Sequence, residues 1–255
     1  MSHPSIPDPA SGPRQADFDE ASRRQLQMFA ESVAHDLRAP LRSIQSFSRM
    51  LEERIDGQVD EVAREHLQRI RGAADRMDGL LAGLGELSQA TGAELRRGPV
   101  DLGLLCDWVL AELQDINPDR QAEVATDGLE GLQVEGDERL LKLALARILD
   151  NAWRFAPEDA PVRVAVSGSR QEGRVQLCIR DHGSGFDMRY AHKIFEPFQR
   201  LHGPAEGAGH GLGLAVAQRV ISRHGGSLSA ESDGNDGATF QLQLPVAGDG
   251  KDGLR

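Results

Sequence analysis

A histidine with an acidic neighbour stands in the run Phe29-Ala-Glu-Ser-Val-Ala-His35-Asp36-Leu37-Arg38-Ala39-Pro40-Leu41. The apolar positions around it, Leu26, Phe29, Val33, Leu37, Ile44, Phe47 and Leu51, recur at helical spacing. At about 100° per residue His35 is turned roughly 200° from both Val33 and Leu37, so its imidazole faces solvent while the stripe faces a core. A neutral imidazole offers one ring nitrogen as a nucleophile, and Asp36 can fix the tautomer by accepting from the other. The pair is placed to react rather than to pack.

A second set of polar positions comes more than a hundred residues later. Asn151 and Arg154 lie three apart beside the apolar face Leu145, Ile148, Leu149 and Ala152. A carboxamide oxygen suits Mg²⁺, which favours oxygen ligands and bridges to phosphates, and an arginine fork suits the phosphates themselves. Asp181 ends an alternating strand and is followed by Gly183 and Gly185. A strand-end carboxylate can accept from an exocyclic amine, and glycines let the backbone approach a ring. Gly207, Gly209, Gly211 and Gly213 immediately precede an apolar helix, where bare amides favour an anion. No Gly-Lys-Ser/Thr follows and no βαβ unit opens there, so this is neither a P-loop nor a dinucleotide fingerprint. Between the two glycine sites, Phe195 and Phe198 suggest a lid anchored by aromatics, or plain core packing. His66, His182, His192, His202, His210 and His224 lack metal-ligand spacing; they read as surface or loop residues, with His202 and His210 as candidate phosphate neighbours.

The 255 residues have room for two modest domains or one large one. A hydrophobic content of 39% suits a globular protein, and no apolar run approaches the roughly 18 residues that span a bilayer. The start Met1-Ser-His-Pro lacks the basic and apolar stretches of a secretion signal. A formal charge of -11 argues against general nucleic-acid binding. Cys106 and Cys178 are too few for a disulfide framework or a metal site, which points to a reducing cytoplasm.

Residues 1–17, rich in Pro, Ser and Asp, and residues 248–255 read as disordered tails. A helix is predicted from about Asp19 to Ile55, interrupted or bent at Pro40, then a turn at Asp56-Gly57-Gln58. Ala63, Leu67, Ile70, Ala74, Met77, Leu81, Leu84 and Ser88 form a heptad seam on a second helix. Two such helices make a hairpin over residues 18–92 that is short of apolar partner surface; pairing two hairpins into a four-helix bundle predicts a homodimer. Thr91-Gly92 to Gly98-Pro99 reads as a hinge, and residues 98–247 as an α+β domain with one covered sheet face. There, helices are predicted over Leu102–Leu113, Glu138–Phe155 and about Gly211–Arg223, the last closing at Gly225. Alternation marks strands at Val162/Val164/Val166, Val175/Leu177/Ile179 and Phe240/Leu242/Leu244, with a turn from Gly168 to Gly173 between the first two.

Taken in order, the motifs around His35, Asn151, Asp181, Phe195/Phe198 and Gly209–Gly213 resemble the sensor histidine kinases of two-component systems over about residues 25 to 245. His35-Asp36-Leu37, Phe198-Gln-Arg-Leu-His202 and Arg223-His-Gly-Gly226 look most like the transmitter modules of phytochrome type. The resemblance implies a dimeric helical hairpin joined to an α/β-sandwich ATP-binding domain. It implies ATP-dependent autophosphorylation of His35, oriented by Asp36, and phosphotransfer to an aspartate of a response regulator. Asn151, Arg154, Asp181, Gly183, Gly185, Arg200, Gly209, Gly211, Leu212 and Gly213 would bind ATP, with Asn151 holding Mg²⁺ and Asp181 the adenine. Two positions depart from the pattern: Arg147 stands where many relatives have a first Asn, and Ala39 where phosphatase-competent relatives have a small polar residue. No sensor domain fits in the sequence, so input is expected through a separate sensory protein, the short N-terminus or a further region. The alternatives are a non-kinase ATPase of the same nucleotide fold and a degenerate dimeric docking scaffold.

Overall fold

A computed structural model describes residues 15–55, 61–201, 209–234 and 236–247, with side chains of the first helix described over 32–54. The expectations for residues 1–14 and 248–255, the turn at Asp56-Gly57-Gln58, the side chains of Leu26 and Phe29, Gly207 and His202 lie outside the described residues, whereas residues 15–17, expected in the disordered tail, are helical.

Helices α1 (Gln15–Ile55) and α2 (Glu61–Gly92) form the hairpin. It is antiparallel, because partners fall along α2 as they rise along α1: Arg38 beside Gly85, Gln45 bonded to Asp75 at 3.0 Å, Glu52 paired with Arg71. α1 runs through Pro40 without interruption. The proline is solvent-exposed, so water can satisfy the Asp36 carbonyl that it leaves without a helical donor, and the surrounding turns continue the helix.

The hairpin interior is made by Ala34, Leu41 and Ser48 of α1 against Leu67, Ala74, Leu81 and Ser88 of α2, each series repeating every seven residues. The predicted α2 seam therefore divides, and on α1 the interior falls to Ala34, Leu41 and Ser48, none of which belongs to the predicted stripe. Leu37, Ile44, Phe47 and Leu51 do not face the hairpin core but are exposed, Phe47 by 68%, as are Ile70 and Met77 of the α2 seam. One helix pair has room for a single seam of knobs, and the second stays uncovered in a single chain.

The rest of the chain is the expected α+β domain. A five-stranded sheet has the order β2 (Ala122–Asp127), β4 (Val162–Gln171), β5 (Arg174–Asp181), β7 (Ala238–Pro245), β6 (Ser227–Ser232). β2 pairs with β4 in parallel and the other neighbours are antiparallel. A separate ribbon joins β1 (Gly98–Asp101) to β3 (Gln133–Gly136). α3 (Leu102–Ile116), α4 (Glu138–Phe155) and α5 (Gly213–Arg223) supply the other half of one core, filled from the sheet by Val162, Val164, Val166, Leu177, Ile179 and Leu242. Asp101 and Asp137 start α3 and α4 by accepting the first amides at 2.9–3.1 Å.

The β4–β5 turn is tighter than predicted. The strands pair as far as Gln171 and Arg174, leaving only Glu172 and Gly173, both at positive φ as a primed hairpin turn requires. His224 is also not a surface residue: it is 3% exposed at the end of α5. Its Nδ1 donates to the Val220 carbonyl at 2.7 Å and its Nε2 accepts the Asp137 amide at 3.0 Å, which satisfies the ring without solvent. Both cysteines are free, and burial, with Asp107 and Asp101 nearby, pushes the Cys106 thiol up to about 12.

Candidate active site

α4 buries Leu145, Ile148, Leu149 and Ala152 in the core, and this turns Arg147, Asp150, Asn151 and Arg154 towards a cavity of about 340 Å³. The far side of the cavity is closed by α2 through Gly79, Ala82, Gly83 and Glu86. Arg154 is tied to Asp150 one turn earlier at 2.5 Å. Arg147 engages Glu86 of α2 with both Nε, at 2.7 Å, and Nη2. These are part-exposed pairs, each contributing about 1 kcal/mol or less, so a ligand anion can displace them.

Asp181 is delivered by the alternation of β5, which puts the last residue of the strand on the covered face. It is 5% exposed, and its Oδ1 accepts the amides of Gly183 at 2.9 Å and Ala238 at 3.1 Å. Burial raises its pKa above the ordinary carboxylate value, and the two amides act in the opposite direction without cancelling it. Gly237 lets the backbone pass: a Cβ there would stand 2.0 Å from the Asp181 carbonyl oxygen, and its φ is +82°. Gly185 lines the cavity, whereas Gly183 lies behind Asp181 and orients its carboxylate.

The second glycine segment brings Gly209, His210, Gly211, Leu212 and Gly213 to the same cavity, with Arg200 beside them. Gly211 has φ +69° and its carbonyl accepts the Phe198 amide at 2.8 Å, which clips the Phe195–Arg200 segment to the start of α5. Leu212 at the N-cap makes no side-chain cap, so the first amides of α5 have no capping oxygen over them. Phe195 packs against the core while Phe198 is 59% exposed, so a single aromatic anchors this segment. Burial, then Arg154 and Arg200, hold the His210 imidazole below its usual pKa.

His35 and Asp36 do not line the cavity. Both are exposed, with Nδ1 of His35 3.3 Å from Asp36 Oδ1, an arrangement that leaves Nε2 outward. Arg147, Glu86 and Asp150 line the cavity beyond the expected residues. Their places next to or one turn from Asn151 would signal Arg147 and Asp150, but Glu86 carries no local signal.

Residues 25–92 match the family model of the His Kinase A (phospho-acceptor) domain, and residues 136–248 that of the Histidine kinase-, DNA gyrase B-, and HSP90-like ATPase. Cyanobacterial phytochrome A of Nostoc sp. is 29% identical over 229 residues, which are 90% of this chain and 30% of the relative. Sensor-like histidine kinase SenX3 of Mycobacterium bovis is 30% identical over 232 residues, 89% of this chain and 55% of its own length. The chain thus spans about a third to a half of these curated relatives. Among solved structures, full-length ShkA in complex with AMPPNP shares the fold, with a TM-score of 0.64 at 24% identity over 86% of this chain and 45% of that one. The mycobacterial sensor histidine kinase MprB is 31% identical, with a TM-score of 0.50 over 58% of this chain and 97% of its own. A phospho-acceptor hairpin followed by this ATPase-type sheet domain, in this order, identifies the chain as a member of the sensor histidine kinases, carrying their transmitter core.

Proposed function

We propose that the chain is an ATP-dependent protein-histidine kinase that phosphorylates His35 and passes the phosphoryl group to an aspartate of a response regulator. The observation that supports this best is that one cavity collects Asn151, Arg154, Asp181, Arg200 and the Gly209–Gly213 loop, while an exposed His35-Asp36 pair stands outside it. Asp181 accepts from the adenine amine, with Gly183 orienting its carboxylate and Gly185 leaving room for the ring. Arg154, Arg200 and the amides from Gly209 to Gly213, with Leu212 as the buried stop beneath them, hold the triphosphate. In the transfer step Nε2 of His35 attacks the γ-phosphorus, the bond to the β-bridging oxygen breaks, and ADP leaves with that electron pair. Asp36 holds the Nδ1 proton and steadies the ring as it gains charge.

The residues present also fit Mg²⁺. Among the described residues no cluster of three or more His, Cys, Asp or Glu forms a cage, so the ion would rest on the Asn151 carboxamide and phosphate oxygens. Bound there, it would neutralise charge on the phosphates.

The uncovered seam of Leu37, Ile44, Phe47, Leu51, Ile70 and Met77 is what a second hairpin would bury, which supports the homodimeric four-helix bundle over residues 18–92, with 98–247 as the ATP-binding domain. No helix among the described residues is long and apolar enough to cross a membrane, and the proposed site of action is the cytoplasm. Sensory input would enter from a partner protein or a further region. Neither rival is favoured: the hairpin match opposes a non-kinase ATPase, and the assembled cavity opposes a degenerate scaffold.

The test is incubation with γ-labelled ATP and Mg²⁺. Acid-labile, alkali-stable label on the wild type, lost in His35→Gln with nucleotide affinity retained, is the expected result. The same label persisting in His35→Gln would overturn the assignment.

A further inference from the structure

Two arginines of α4 reach the cavity, and each is held by a carboxylate that also lines it. Arg154 is held within its own helix by Asp150. Arg147 is held by Glu86, which belongs to the hairpin, so this pair couples a charge of the cavity to the position of α2. Arg147 precedes Asn151 by one helical turn, and its Cδ lies 3.5 Å from where a Cβ on Gly213 would stand, beside the glycine loop. A guanidinium fork that grips a carboxylate through Nε and Nη2 grips two phosphate oxygens equally well.

We propose that Arg147 is an exchangeable phosphate ligand. Glu86 holds it while the hairpin is docked over the cavity, and the triphosphate of a bound nucleotide takes it, which frees that stretch of α2. The inference rests on the nucleotide reading above. Glu86 offers one negative charge against several on a triphosphate at the same fork, so the exchange favours the nucleotide when it is present. Other contacts along this face of α2 include Gly79 with His210, whose imidazole also bonds to the Arg76 backbone, and Gly83 with Leu212, and none of these brings an anion to the cavity. Further along, Arg223 donates to the carbonyls of Ala90 at 3.1 Å and Ala93 at 2.5 Å, gripping the end of α2 outside the cavity. Release at Glu86 therefore swings the hairpin about its tethered end. His35 lies outside the cavity, so a movement of this kind is what the transfer step needs.

The test uses the full chain, with amide hydrogen exchange over residues 76–90 and titration of a fluorescent ATP analogue with Mg²⁺. In the wild type, nucleotide should speed exchange over 76–90. Glu86→Gln should show fast exchange without nucleotide and bind the analogue about fivefold tighter, the scale of one part-exposed ion pair that no longer competes. Arg147→Gln should also exchange fast but bind about tenfold more weakly, as expected for the loss of a charged contact to phosphate. If both variants bind more weakly, or if the wild type binds nucleotide with exchange over 76–90 unchanged, the exchange of partners is wrong while the nucleotide site stands. If the wild type binds no nucleotide at all, both the exchange and the kinase reading fall.

Discussion

The imidazole of His210 occupies the space that a side chain at Gly79 would need. A Cβ there would stand 2.0 Å from the imidazole Cε1 and 2.7 Å from either ring nitrogen. The glycine loop of the α/β domain is thus seated in a notch on α2. Gly79→Ala should unseat it while leaving the hairpin intact, because alanine in a helix interior is favoured over glycine by about 1 kcal/mol. Faster amide exchange over 209–216 with unchanged protection in β4, β5 and β7 is the expected signature. Unaltered exchange in the loop would show that the notch does not hold it.

Asp181 is a buried carboxylate whose pKa is raised above its ordinary value, so its charged form is a cost to the fold near neutral pH. Asp181→Asn keeps an oxygen for the Gly183 and Ala238 amides and removes the charge. The variant should melt no lower than the wild type, yet bind ATP more weakly by about 1.5–3 kcal/mol, the range for a hydrogen bond to a charged group. Calorimetric melting and nucleotide titration check the two halves separately. A lower melting temperature with unchanged affinity would make Asp181 purely structural.

His224 must be neutral to accept the Asp137 amide, and burial lowers its pKa against the opposing pull of the Val220 carbonyl; Arg97, Asp137 and Arg223 are the charges around it. With the folded pKa below the unfolded value of about 6.5, the unfolded chain takes up the proton first. Stability is therefore full above pH about 6.5 and falls as pH drops towards the folded pKa. Urea midpoints between pH 7.5 and 5.5 should fall for the wild type and fall less for His224→Gln, about which equal slopes would be decisive in the other direction.

Ala39 stands one turn after His35, exposed and without a hydrogen-bonding side chain. A polar side chain there would share the face of His35 and could hold a water near the phosphoryl group. The wild type is expected to dephosphorylate its regulator slowly, and Ala39→Thr to do so faster. Following purified phosphorylated regulator with ADP present and ATP absent measures both; fast loss with the unaltered chain would mean that another group places the water.

Features set by local chemistry were legible in the sequence. The alternation of Val162, Val164 and Val166 marked a half-covered strand, and Gly225 closed α5 at φ +74°. Each depends on a residue and its near neighbours alone. Short β2 and β6 carry only Ala122/Val124 and Leu228/Ala230 in alternation, too brief to mark a strand, and they form along the edges that β4 and β7 offer. Which stripe of α1 turns inward was equally hidden, since Leu41, outside the expected stripe, and Leu37 within it are alike in hydrophobicity and differ only in whether α2 lies opposite. Tertiary structure also decided the fate of two charged or titratable side chains. Arg147 finds Glu86, 61 residues away in sequence, and His224 finds the Asp137 amide, 87 away. Periodicity reports which face of an element is covered, but the identity of what covers it is set only when distant elements meet.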